Sequence, residues 1–182
     1  DHLPPLEAGE VSDENDVHRA RSLSEKNLER IDNMEPGGDW TLWEEEDLNH
    51  LLADCHRKAS GRSYKAPYSR MRPDEPSPTI TTQFYNYGSG RFGHYDTDQN
   101  RALTLLEGAV LQTFPEDYEF YDNWDDVGIK NLGRLIGNAV PPRLGRATRR
   151  LRPVPTSRGV CPRARGPGRS RRRRRPRARR RE

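Results

Sequence analysis

The sequence predicts a mixed α/β chain: two capped, amphipathic helical segments flank a stretch rich in threonine, aromatic and glycine residues, and an arginine-rich end follows. The helix starts are marked by two Ser/Thr-x-x-Glu patterns, Ser22-Leu23-Ser24-Glu25 and Thr104-Leu105-Leu106-Glu107. In such a pattern hydroxyl and carboxylate each satisfy an orphan backbone N–H. Between Gly61 and Asn100 the threonines and aromatics favour extended strands. Near Arg152 the composition changes abruptly: residues 143–182 hold 18 Arg and one Glu, a balance of +17, whereas residues 1–142 carry a balance of −13. The net charge of +4 therefore hides two different parts.

With 31% hydrophobic and 33% charged residues in a chain of 182, a self-sufficient core over the whole length is not expected. Part of the chain should be disordered or pack against something else. The two cysteines, Cys55 and Cys161, lack metal-ligand spacing, so neither a zinc site nor a disulfide framework is predicted, and a reducing, intracellular setting fits. No apolar run approaches the roughly 18 residues needed to span a bilayer, and the first residues lack the pattern of a signal peptide. A membrane partner is not expected.

In chain order, residues 1–21 open with Leu3-Pro4-Pro5-Leu6, a proline-rich lead-in. The Ser22/Glu25 box, with Leu28 and Ile31 on one face, predicts a helix over about residues 23–33, broken by Pro36-Gly37-Gly38. Leu48, Leu51, Leu52 and Cys55 at i, i+3, i+4 and i+7 predict a second helix from Glu44 to His56, with Cys55 as a small core residue and Glu44–Asp47 near the positive end of the dipole. Adjacent positions on a helix do not face each other, so Cys55 and His56 are not expected to form a catalytic pair. The Gly88-Ser89-Gly90 turn reads as a loop tip, and His94, Asp96 and Asp98 as a solvated loop with too few converging oxygens for a metal. Threonine hydroxyls, arginines and glycines in this middle stretch suit DNA, since hydroxyls and backbone N–H groups hold phosphates and Arg reads guanine edges.

From Thr104 a short helix is predicted with Leu106, Ala109 and Val110 on its apolar face and Pro115 at its end. Glu116–Trp124 is acidic and aromatic, which disfavours phosphate contact and suggests core or docking rings. Gly137-Asn138-Ala139-Val140-Pro141-Pro142 reads as a turn in which backbone can approach a ligand, before a helix started by a proline. The tail with Arg171–Arg175 should be disordered. It is open to two readings, a non-specific nucleic-acid binder acting through counterion release or an out-of-frame end.

Two of these blocks, Arg101-Ala102-Leu103-Thr104-Leu105-Leu106-Glu107-Gly108-Ala109-Val110-Leu111-Gln112-Thr113-Phe114-Pro115 and Ile136-Gly137-Asn138-Ala139-Val140-Pro141-Pro142, resemble in order and separation the last two conserved motifs of DNA (cytosine-5) methyltransferases. The Leu3-Pro4-Pro5 segment is similar to the one that leaves that family's catalytic domain, and Pro78-Thr79-Ile80-Thr81 with the following Gly-rich loop resembles its target-recognition region. The resemblance implies an α/β, carboxy-terminal part of a doubly wound S-adenosylmethionine-dependent fold, with a mixed α+β recognition region. It divides the chain into a lead-in (1–21), a target-recognition region (22–100), carboxy-terminal motifs returning to the catalytic domain (101–152) and the tail (153–182).

It further implies double-stranded DNA as partner, with Thr81 as a phosphate contact and Asn86, Tyr87, Gly88, Gly90 and Arg91 lining the loop; the arginines of the middle stretch, Arg70 and Arg72, are expected as further DNA contacts from their chemistry. Gly137, Asn138 and Val140 would touch the cofactor, S-adenosyl-L-methionine. The location implied is cytoplasmic and nucleoid-associated. The family's nucleophilic Pro-Cys is missing, since Cys55 follows Asp54 and Cys161 precedes Pro162, as are the glycine-rich cofactor loop and the Glu-Asn-Val and Gln-Arg-x-Arg motifs. No catalytic residue is therefore assigned, and turnover should need an amino-terminal catalytic half in cis or trans. Leu106 and Val110 stand where the family carries arginines. A non-catalytic DNA-binding remnant and a disordered Arg-rich binder are the alternatives.

Overall fold

The computed structural model describes residues 3–58, 60–124 and 127–151, and within them the chain is built on two helices, α4 (Leu105–Leu111) and α5 (Gly128–Asn138). Before them come α1 (Glu25–Asp32), α2 (Leu42–Glu45), a 3-10 turn at Asn49–Leu51 and α3 (Asp54–Arg57). After them comes α6 (Pro142–Leu151), with Pro142 at its first position. The expected disordered tail and Cys161 lie outside the described residues.

The α4 start follows the predicted box: the Glu107 N–H donates to Thr104 Oγ1 at 3.1 Å and the Thr104 N–H to the Glu107 carboxylate at 2.8 Å. Leu105, Leu106 and Ala109 enter the main core, with Phe84, Tyr85, Phe92, Leu103, Leu132 and Ile136. The helix ends four residues before Pro115. Thr113 turns left-handed (φ 67), its N–H bonds the Val110 carbonyl at 2.8 Å and the Phe114 N–H the Ala109 carbonyl at 3.0 Å. This is the Schellman stop, with a threonine where glycine is usual. The threonine has a second role: its hydroxyl accepts the Arg143 N–H at 3.1 Å, in the first turn of α6.

Two expectations for the first half need correction. Ser24, not Ser22, caps α1, accepting the Asn27 N–H from an extended backbone. The helix predicted from Glu44 to His56 is broken into three pieces, because four adjacent carboxylates repel and Asp47 takes φ 58, which aspartate tolerates better than most residues. The break resets the helical phase. Cys55 is exposed, and His56 enters the core instead, 1% exposed and stacked on Trp40 with ring centroids 4.6 Å apart. Trp40, Trp43, Leu51, Leu52 and Met34 form this second cluster.

Between residues 61 and 100 the expected strands are reduced to single bridges. Arg70 pairs with Pro36 and with Gly93 in parallel, and Gly93 with Ala102 antiparallel. Pro73, Pro76 and Pro78 lack ladder donors, which keeps this stretch from extending a sheet. Thr82–Tyr85 is a turn, held by helices on both sides. A methyl group on Gly108 of α4 would lie 2.1 Å from the Phe84 ring, one on Gly133 of α5 would lie 2.3 Å from Tyr85, and one on Gly137 would lie 2.3 Å from the Thr81 carbonyl oxygen. The glycines let α4 and α5 close onto this turn.

Alanine normally stabilises a helix over glycine by roughly 1 kcal/mol. Gly137→Ala is nevertheless expected to destabilise by about 1–3 kcal/mol, because the clash is with backbone, and urea unfolding measures it. Thr113→Asn keeps an acceptor for Arg143 and relieves a β-branched left-handed residue; a thermal melt is expected to show a modestly higher Tm.

Candidate nucleic-acid interface

A groove of about 330 Å³ opens beside the Thr82–Tyr85 turn. Its walls are Pro78, Thr79 and Thr81 on one segment, Ser89, Gly90, Arg91 and Phe92 on a second, and Tyr64 and Ala66 on a third. Three residues expected to meet DNA therefore come together here: Thr81, Gly90 and Arg91. Thr81 is exposed, its hydroxyl accepting the Gln83 N–H at 3.3 Å. Arg91 is half-buried, and its Nε is buried with no partner among the described residues. A buried Nε cannot itself reach a ligand; the donors this side chain can offer a phosphate or a guanine are its terminal nitrogens, which no hydrogen bond or ion pair engages among the described residues. No carboxylate lines the groove, and the hydroxyls of Tyr64, Thr79, Thr81 and Ser89 supply donors and acceptors.

The other expected contacts are placed differently. Asn86 is half-buried at the foot of the loop, and Gly88 packs beside the Tyr68 ring. Tyr87 is fully buried: its hydroxyl donates to the Tyr68 carbonyl at 2.6 Å, and burial pushes its pKa well above the usual tyrosine range. Arg72 is exposed on the rim of a different cavity and paired to Glu75 at 2.6 Å. Arg70 is the clearest correction. It is 0% exposed, and its guanidinium donates to the carbonyls of Ile31 (2.9 Å), Met34 (2.7 Å), His94 (2.7 Å), Asp96 (2.9 Å) and Gln99 (3.3 Å) and to Asn100 Oδ1. A side chain so engaged reads no base.

The expected cofactor residues cluster at the end of α5. Gly137 is turned onto Thr81, Asn138 is exposed with its amide unpartnered among the described residues, and Val140 is 70% exposed. An amide that donates and accepts beside an exposed apolar side chain fits one edge of a nucleoside-containing ligand. Among the described residues no group of three His, Cys, Asp or Glu side chains is arranged to hold a metal.

At the start of α4, beside a different cavity, lies a buried polar cluster. Glu107 takes both Arg101 terminal nitrogens at 2.8 Å, and His94 Nε2 lies 3.6 Å from the same carboxylate. His94, expected in a solvated loop, is 1% exposed. Burial pushes its imidazole down to about 4, against an attraction from Glu107 that would raise it. Burial alone would raise Glu107, but the Arg101 hydrogen bonds and charge outweigh it and hold the carboxyl below the usual range. His56 is likewise lowered, by burial and then by Arg30.

The chain belongs to the C-5 cytosine-specific DNA methylase family, whose sequence model matches residues 7–151. Among relatives it is 49% identical over 130 residues to the type II methylase M.HgiDII of Herpetosiphon aurantiacus, across 71% of this chain and 35% of that protein. It is 41% identical over 96 residues to the type II methyltransferase M1.BsuMI of Bacillus subtilis, across 53% and 21%, and 37% identical over 93 residues to the type II methyltransferase M.AquIB of a Picosynechococcus strain, across 47% and 62%. The match thus spans about a third of M.HgiDII. No helix among the described residues is long and apolar enough to cross a membrane.

Two buried histidines with lowered pKa favour the folded state only while neutral. Their contribution is complete above pH 6.5, the ordinary histidine value, and is lost as pH falls towards about 4 for His94. The urea midpoint is expected to decline steadily through that window, and less steeply in His94→Gln.

Proposed function

We propose that this chain supplies target recognition and one edge of the cofactor site of a DNA (cytosine-5)-methyltransferase. The whole enzyme would transfer a methyl group from S-adenosylmethionine to carbon 5 of cytosine in double-stranded DNA. The observation that carries this reading is the seat of Gly137 on the Thr81 carbonyl. Through it the DNA-facing groove and the Asn138 turn share one rigid contact, so the recognition surface keeps a fixed position relative to the cofactor edge. Such fixed placement is what a methyl transfer to a base extruded from the duplex demands.

Arg91 would meet a guanine edge or a phosphate, with Thr81 and Gly90 beside it holding backbone. Asn138 and Val140 would meet the cofactor, which supplies the methyl group when bound. The attacking thiolate is not provided here: Cys55, the one thiol among the described residues, follows Asp54 and is exposed. Chemistry therefore comes from a catalytic half joined to this chain or associated with it.

A second reading, a subunit of a divided enzyme, is favoured by M.AquIB. A 93-residue match covers 62% of that protein, so M.AquIB is itself a short chain carrying this region.

Arg91 bonds nothing among the described residues, so Arg91→Ala is expected to leave Tm unchanged. Its binding to a pool of duplexes, followed in the full chain at two salt concentrations, is expected to weaken by about 1–3 kcal/mol with a relaxed sequence preference. Unchanged affinity and preference would remove the groove as the DNA site.

A further inference from the structure

We propose that Tyr64 is a further specificity-determining residue of the groove, its ring contacting base edges of double-stranded DNA. The inference rests on the groove being the DNA surface. Tyr64 lies on neither conserved block, yet it forms the groove's third wall and is 58% exposed. Its hydroxyl has no hydrogen-bond partner among the described residues, and the ring belongs to none of the core clusters.

The backbone beneath the ring is fixed with unusual care for an exposed loop. The indole N–H of Trp40, itself 1% exposed in the second core cluster, donates to the Tyr64 carbonyl at 3.2 Å. The Tyr64 N–H donates to the Gly61 carbonyl at 3.2 Å. On either side Arg62 is tied to Glu44 at 3.1 Å and Lys65 to Asp39 at 3.7 Å. The result is an exposed aromatic ring on an anchored base, sharing a groove with Arg91. Tyrosine is well suited to such a place, since a large, amphipathic ring loses little conformational freedom on contact. In the major groove an apolar ring discriminates chiefly through the thymine methyl, which complements a guanine-directed arginine.

The ring stands outside every core cluster, so Tyr64→Ala is expected to leave the melting temperature unchanged. The full chain would be irradiated with random duplexes carrying 5-iodouracil in place of thymine, and the adducts mapped by peptide mass. The expected result is an adduct at Tyr64, lost in Tyr64→Ala and kept in Tyr64→Phe. The sequences selected by Tyr64→Ala from an unsubstituted pool should also show preference relaxed at least fivefold at one or more positions. If Tyr64→Ala keeps the wild-type preference while Arg91→Ala loses it, the groove stands and the role of Tyr64 is overturned. If both variants keep it and adducts map only beyond residue 152, the groove and Tyr64 fall together.

Discussion

Among the described residues no strand ladder forms, so the backbone carbonyls find other donors, and three buried guanidinium groups supply them: Arg30, whose Nε donates to the Leu51 carbonyl at 2.7 Å, and above all Arg70 and Arg101. Arg70 donates to five carbonyls, from the end of α1 to the loop at residues 94–100. Arg101 closes the other side of that loop, donating to the Leu6 carbonyl at 3.1 Å, to Gln99 Oε1 at 2.7 Å and to the Glu107 carboxylate. Buried carbonyls left unpaired would each cost about 1–3 kcal/mol, so these arginines replace what strands would otherwise provide. Arg101 is paired with the carboxylate that caps α4, and the charge balance and the helix start are therefore one arrangement.

That arrangement fixes α4, and α4 with α5 fixes the groove. Gly108 and Gly133 let the two helices grip Phe84 and Tyr85, and Gly137 seats the end of α5 on Thr81. The Thr82–Tyr85 turn cannot shift without opening this grip. The groove walls at Thr81 and at Gly90–Arg91 are accordingly carried on a packed core, with the Thr81 hydroxyl tied only to the Gln83 N–H. Leu135 of α5, Leu144 of α6 and Val140 between the two helices remain exposed.

The start of α4 was legible because a capping box is a local signal, and the α6 start because proline takes the first helical position. The arginines were not. Arg70 and Arg91 look alike in sequence, and only burial separates the one that holds carbonyls from the one that faces the groove. The Gly-Asn block read as a turn, yet Gly137 lies in the last helical turn of α5, where its missing side chain serves close packing. A period of Ile129, Leu132 and Ile136 was available to mark that helix. Cys55 and His56 exchanged places because a single left-handed residue, Asp47, cannot be read from an apolar period that continues across it.

Hydrogen exchange of the full chain with and without duplex DNA tests the central claim most directly. The account predicts added protection at residues 64–66, 78–82 and 88–92, with the 94–101 loop already protected and unchanged. Protection confined to residues beyond 152, or centred on the acidic stretch 116–124, would contradict it.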